Sequence, residues 1–428
     1  MRKRHFLFAS ALALLCSSGA LHAQDFKLTS SGYFKNQGVD VMAFDDIYPE
    51  GHQGGVCIIM NGHRVATNGD IRLEATPGQW QPVPKQLDRK LSDNSITATL
   101  CYPDSSRHLT GFNPMIYPDL HLIYTVQVES KGKHIEVTVD LDRPIPQEFI
   151  GKVGFNLEFF PGSLFGKPWI MDGQSGIFPQ QPNSPLMTTQ PNYLHTGNYH
   201  DGKQSLADMD KLIGKGYSPI VADDIISEPY AKGRKFTSRP DDPYNKVTIE
   251  SLSGDLQLFD GRMNHNNGWF VLRSNIKPGV TKGAVKWIIT PNIVADWMYQ
   301  PVIQTSQIGY HPAQDKEAVI EMDVRDSRKE TAQIIRIDAD GEKVVKNVTP
   351  ANWGKFLRYN YLKVDFTDVK EPGLYKIKYD TSVSPIFRID NDVYARGVWQ
   401  PVLGILPSRT DVPHARQRKI PRMARLLP

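Results

Sequence analysis

The sequence predicts an all-β protein made of two successive antiparallel sandwiches, the first large and the second small. Three observations predict this. Apolar residues recur in short runs bounded by Gly, Pro, Asn and Asp, as in strands joined by tight turns. One stretch alone has helical spacing. A second series of short strands opens just after residue 300.

Taken in order, Val56–Met60 is an apolar run that leads into Asn61-Gly62, a hairpin-type turn. Ile96–Tyr102 alternates apolar and polar residues. Leu120–Val128 and Ile135–Leu141 flank Ser130-Lys131-Gly132-Lys133, which reads as a second hairpin. Val153–Phe160 (VGFNLEFF) is closed by Pro161-Gly162. Val247–Leu252, Leu256–Phe259, Gly268–Arg273 and Ala284–Thr290 continue the series. The one helical pattern is Ser205–Ile213, with Leu206, Met209, Leu212 and Ile213 on one face. It falls within residues 161–245, a stretch rich in Pro, Gly, Asn and Asp where few strands are expected. A long irregular insert is either functional or a flap over one sheet. The first unit is expected to run from 24 to 300. The second, 301–391, holds strands at Ala318–Met322, Ile334–Ile337, Val364–Phe366, Gly373–Ile377 and Ser384–Ile389, with a turn at Asp338–Gly341. Six or seven strands in about 90 residues is the size of an immunoglobulin-like sandwich, here without the Cys-Trp-Cys pattern.

Residues 1–23 open on Arg2, Lys3 and Arg4, run through an apolar stretch to Leu15 and end on small residues at Ala23, the pattern of a cleaved secretory signal. A lipid anchor on Cys16 is the rival reading, weakened by the bulky Leu15. The chain is expected in the periplasm or outside the cell, with no membrane span. Its formal charge of +4 is misleading. The signal brings +3 and residues 404–428 bring +5, so the body between them is mildly acidic at −4. That body has no electrostatic footprint for nucleic acid. Beyond the signal the cysteines are Cys57 and Cys101. In an oxidising compartment they are a possible disulfide, and as members of apolar strand-like runs they read equally as two buried thiols.

No set of catalytic residues emerges. Asp45-Asp46, Asp223-Asp224 and Asp241-Asp242 are adjacent acids, and neighbours on a strand point apart. His195 and His200 lack supporting ligand spacing, so no metal is expected, and no cofactor motif is present. No serine stands in a nucleophile elbow. Trp169 (FGKPWIMDGQSG) and Trp269 (NHNNGWFVLRS) lie near turns and are candidate carbohydrate contacts, because an aromatic face suits the apolar face of a sugar ring.

One stretch carries a family resemblance. Ser306-Gln307-Ile308-Gly309-Tyr310-His311-Pro312, then Lys316-Glu317-Ala318-Val319-Ile320, then Gly373–Ile377, Ser384–Ile389 and Asp392-Val393-Tyr394, resemble the immunoglobulin-like module that precedes the catalytic domain of family 9 glycoside hydrolases, the cellulase-type enzymes. Ser306 replaces the usual Asn, and Ile386 separates Pro385 from Phe387. The resemblance implies a following (α/α)6 barrel on which the module packs. It also implies an inverting mechanism with a base carboxylate and an acid carboxyl, and a β-glucan type polysaccharide as partner. The D-A-G-D type base segment of that family does not occur in these residues. Asp392–Leu403 fits the lead-in to such a barrel. The first unit, on Val126–Pro144, Gly154–Gly162 and Gly283–Asn292, is similar to supersandwich folds found as accessory modules in carbohydrate enzymes.

From Gly404 the lead-in pattern stops. Permitted codons for this stretch, read one base over, allow EYFLPVQMCHMRVNEKYRVWH, which suits the first helix of a barrel. Met423 is ATG and an alanine codon starts with G, so the shifted frame reads tryptophan there. The expectation is a slipped frame at 404–428, with a disordered basic tail as the other reading. The function expected is therefore that of a non-catalytic N-terminal part of a secreted family 9 type hydrolase. The alternative is a standalone carbohydrate-binding or scaffold protein.

Overall fold

The computed structural model describes residues 25–45, 54–74, 77, 84–102, 120–182, 186–187, 226–263, 268–356 and 358–395. Among them there is no α-helix, and the chain divides into two units, Met1–Trp297 and Met298–Pro428. Trp297 stays with the first because its carbonyl accepts from Gln37 Nε2 at 2.6 Å. Tyr299 belongs to the second, through Asp323 and Glu321.

The first unit is two nine-stranded antiparallel sheets. In order across the first sheet are Lys27–Leu28, Phe34–Asn36, Val39–Ala43, Val56–Met60, His63–Leu73, Val153–Phe159, Phe270–Asn275, Leu256–Asp260 and Ala231–Gly233. Across the second are Gln174–Ile177, Pro168–Met171, Lys235–Ser238, Val247–Ser251, Val285–Pro291, His134–Leu141, Leu122–Lys131, Ser95–Tyr102 and Lys85–Leu91. The turn at Asn61-Gly62 has φ of 51° and 83°, the two left-handed conformations that match a hairpin to strand twist. In the other expected hairpin the register closes at Lys131 opposite His134.

Strict alternation builds the core. Leu122, Tyr124, Val126 and Val128 are buried on one strand, and Ile135, Val137, Val139 and Leu141 on its neighbour. From the first sheet Phe155 meets Trp287 edge-on at 5.0 Å and Phe159 meets Phe236 at 5.8 Å. Trp287 Nε1 donates to Ser274 Oγ at 3.0 Å, so the indole N–H is satisfied inside the core.

The expectation of few strands in residues 161–245 needs correction. The described part of that stretch contains Pro168–Met171, Gln174–Ile177, Leu186–Met187, Ile226–Ser227, Ala231–Gly233 and Lys235–Ser238. These strands are too short to show periodicity; Leu186–Met187 and Ile226–Ser227 pair with each other, and the rest join the two large sheets, whose strands supply hydrogen-bonding partners. The expected helix Ser205–Ile213 lies outside the described residues.

The second unit is a small sandwich. One sheet runs Val302–Gln304, Glu317–Asp323, Tyr359–Asp365 and Ala351–Phe356. The other runs Gly341–Val348, Ala332–Asp338, Gly373–Tyr379 and Ser382–Val383, with Phe387–Ile389 also on Gly373–Tyr379. The opening motif now has a physical role. Gly309 has φ of 103°, and a Cβ there would lie 2.3 Å from the Arg388 carbonyl. Tyr310 is buried against Phe366 and Phe387; its hydroxyl accepts from Ser306 N–H and donates to the Glu317 carbonyl, both at 2.9 Å. Lys316 is fully buried and donates to the Pro312 and Gln314 carbonyls at 2.9 and 3.0 Å. The motif is thus a loop clamp around one tyrosine. Both departures are tolerated: Ser306 acts there through its backbone, and Ile386 is 61% exposed.

Candidate functional site

The strongest concentration of polar chemistry lies on the first sheet. Asn156 and Glu158 alternate with the core-facing Phe155, Leu157 and Phe159, so they occupy the other face. The register sets Asn156 opposite Asp70 on one side and opposite Arg273 on the other. Arg72 and Glu74 follow Asp70 at alternate positions, and Asn68 precedes it. All of these side chains are buried.

The contacts are dense. Arg273 donates to Glu74 Oε1 at 3.2 Å, to the Glu74 carbonyl at 3.0 Å, to the Lys152 carbonyl at 2.7 Å and to Asn275 Oδ1 at 2.7 Å. Asn156 Nδ2 donates to Glu74 Oε1 at 2.5 Å, and Asn68 Nδ2 to Glu158 Oε2 at 2.6 Å. Asp70 Oδ1 accepts from Ile71 N–H at 2.7 Å and from the Tyr124 hydroxyl at 2.8 Å. Burial pushes the Glu74 carboxyl up to about 7, against the opposing pull of Arg273 and Asn156. Burial likewise pushes Asp70 up to about 6, with Arg72 and Tyr124 opposing it. Carboxyls that titrate near neutrality beside arginines mark a candidate site for proton transfer or ligand recognition. Among the described residues no group of three or more His, Cys, Asp or Glu side chains is arranged to hold a metal.

The residues singled out from sequence lie elsewhere. Trp169 is a core residue, 5% exposed, stacked over Gly176 and facing Tyr230 with ring centroids 6.3 Å apart. That corrects its reading as a sugar contact, since no ring face is offered to solvent. The Gly/Pro-rich context concealed a strand, Pro168–Met171, that turns the indole inward. Trp269 is partly exposed and meets Phe160 edge-on at 4.4 Å. Cys57 and Cys101 do not form a disulfide: both are thiols, the first in the first sheet and the second in the other. Cys57 Sγ lies 3.1 Å from Thr67 Oγ1. Asp45 pairs with Arg89, and Asp242 pairs with Arg239, so both act as loop acids. Asp46, Asp223, Asp224, His195 and His200 lie outside the described residues.

Sequence reasoning missed the polar cluster and also an aromatic strip on the second unit. Trp353 and Phe356 are 55% and 57% exposed. Trp353 meets Tyr361 edge-on at 5.7 Å, Tyr361 meets Tyr359 at 6.1 Å, and Tyr359 meets Tyr299 at 5.1 Å. Glu321 accepts from the Tyr299 and Tyr361 hydroxyls at 3.0 and 3.2 Å, which holds the strip in place.

Residues 298–384 match the cellulase N-terminal ig-like domain. No curated protein matches the chain. Among solved structures, a metagenome-derived glycoside hydrolase family 9 endoglucanase is 30% identical over 21% of this chain and 18% of its own, with a TM-score of 0.19. The protein Slr1438 of Synechocystis sp. PCC 6803 is 11% identical over 68% of this chain and 100% of its own, with a TM-score of 0.28. HI1317 is 8% identical over 62% of this chain and 98% of its own, with a TM-score of 0.25. The chain thus spans less than a fifth of the endoglucanase it matches, and what it shares with cellulases is the immunoglobulin-like domain.

Proposed function

We propose that the two units form the non-catalytic front of a secreted glycoside hydrolase of family 9 type that acts on a β-glucan, with cleavage carried out by an (α/α)6 barrel outside them. The observation that carries this reading is the cellulase ig-like domain at residues 298–384, supported by the clamp around Tyr310 that the opening motif builds. The family's inverting chemistry needs two carboxyl groups set far enough apart to admit a water. Of the buried acids of the first unit, Glu74 is instead held by Arg273 and Asn156 and Glu158 by Asn68, so hydrolysis is not assigned to them. On this reading residues 1–23 are a cleaved secretory signal and the protein works in the periplasm or outside the cell.

The test is reducing-end release from soluble β-glucans by the 428-residue chain, alongside DNA sequencing across the codon for Gly404 and downstream. The expected result is no release, with an open frame that encodes a helical barrel. Release by this chain, or a verified stop with no barrel in any frame, overturns the proposal.

A second reading, a standalone carbohydrate-binding protein, is favoured by one observation: the exposed aromatic strip of Trp353, Phe356 and Tyr361. Retention on insoluble cellulose that is lost in Trp353→Ala would support it. Retention unchanged in that variant would remove the strip as the reason.

A further inference from the structure

The buried cluster of the first unit has an imbalance of charge and of hydrogen bonds. Among the described residues, three carboxyl groups, Asp70, Glu74 and Glu158, share it with two guanidinium groups, Arg72 and Arg273. Three side-chain oxygens in the cluster accept nothing from the described residues: Asp70 Oδ2, Asn68 Oδ1 and Asn156 Oδ1. A buried charge without compensation and a buried acceptor without a donor are both strongly unfavourable.

One proton removes the excess charge and satisfies two of the three oxygens. Asp70 Oδ1 already takes two hydrogen bonds, as the carbonyl oxygen of a neutral carboxyl does. Its Oδ2 takes none, and the nearest guanidinium nitrogen, on Arg72, is 3.7 Å away, beyond hydrogen-bond reach. We propose that Asp70 is a proton-binding site of the folded first unit, its Oδ2 carrying a proton that it donates to an orphaned amide oxygen. The acceptors are on Asn156, its cross-strand partner, and on Asn68, two positions back on its own strand. The groups around Asp70 are Arg72 and Glu74 from its own strand, Glu158 and Asn156 from the next, Arg273 from the one beyond, and the Tyr124 hydroxyl from the second sheet. Glu74 competes for the proton, and burial raises it further than Asp70. That value already includes the pull of Arg273 and Asn156; what singles out Asp70 is its Oδ2, which has no donor among the described residues. The proposal goes beyond the polysaccharide reading and does not depend on it.

The consequence is a first unit held most firmly in mildly acidic surroundings. A folded-state value near 6 against an ordinary 3.8 means that the folded form keeps a proton the unfolded form has lost. That part of the stability is complete below about 4 and is lost as pH rises through about 6. A shift of about two units corresponds to a change of about 100-fold in the folding equilibrium.

The test uses the whole chain and two measurements. Carbon-13 labelling of the aspartate carboxyls, followed by infrared spectroscopy at pH about 5, where exposed aspartates are ionised, should show a label-shifted protonated-carboxyl band that disappears by pH about 8. No such band overturns the proposal without any variant. Unfolding of the first unit, followed from pH about 5 to 8, should then lose the Asp70 part of its pH dependence in Asp70→Asn, whose amide nitrogen supplies the missing donor, while the part set by Glu74 remains. Full pH dependence retained in Asp70→Asn would also overturn it, because the proton would then reside elsewhere in the cluster.

Discussion

Replacing Arg273 by Met tests whether the polar cluster holds the first sheet together. The guanidinium, 1% exposed, joins three strands: the end of His63–Leu73 through Glu74, the start of Val153–Phe159 through the Lys152 carbonyl, and its own strand through Asn275. Met fills much of the volume but donates nothing. Two backbone carbonyls, one carboxylate and the Asn275 amide oxygen then lose a charged donor. Removing one partner of a buried ion pair typically costs about 3–5 kcal/mol. This loss should itself depend on pH. Glu74 already titrates at about 7 with Arg273 in place, and losing the guanidinium raises it further. At pH about 5 the abandoned carboxyl is neutral, so only the hydrogen bonds are lost, at about 1 kcal/mol each. At pH about 8 the variant must in addition bury an uncompensated charge or take up a proton, so its loss exceeds that at pH about 5. The assay is urea unfolding at both pH values, with amide exchange of peptides from 63–74 and 270–275 to assign the loss to the first unit. A loss that is equal at the two pH values, or below about 1 kcal/mol at pH 8, would refute the claim that Arg273 is the counter-charge of Glu74.

Two further outcomes concern the second unit. Gly309→Ala should unfold it, because the added Cβ would sit 2.3 Å from the Arg388 carbonyl at a backbone φ of 103°. Circular dichroism and exchange of the 317–323 peptide would show the loss, and a native-like spectrum would contradict the clash. The second unit should also respond to acid in the opposite sense to the first. Burial disfavours charge on Asp323, but the Arg325 guanidinium with the Arg325 and Tyr299 backbone N–H groups outweighs it and holds the carboxyl down, to about 2. A depressed carboxyl stabilises above the ordinary value of about 3.9 and loses that contribution as pH falls toward 2. Exchange protection of residues 317–323 should therefore weaken from pH about 4 to 2, and Asp323→Asn should flatten that response. An unchanged response in the variant would place the acid sensitivity elsewhere.

Much of the architecture is legible in the sequence. Asn61-Gly62 demands a hairpin because few other pairs accept two left-handed residues in succession. Leu122–Lys131 and His134–Leu141 are visible because their alternation is clean and the turn between them is short. Gly341–Val348 and Ala351–Phe356 are not, because both are largely exposed and show no apolar alternation. Trp169 is misread because an indole near glycine and proline looks the same in a loop or on a four-residue strand.

The polar cluster marks the limit of such reading. Asn68, Asp70, Arg72 and Glu74 alternate along one stretch, and Asn156 and Glu158 along another. Period-two spacing assigns each set to one face of its strand, and the sequence determined that much by itself, along with the all-β class and the clamp motif of the second unit. A polar face normally meets water, so the local pattern reads as solvent-exposed. Only the tertiary structure decided that these faces are buried and brought into register across three strands, because burial depends on segments remote in the chain. Once water is excluded, the same side chains must satisfy one another.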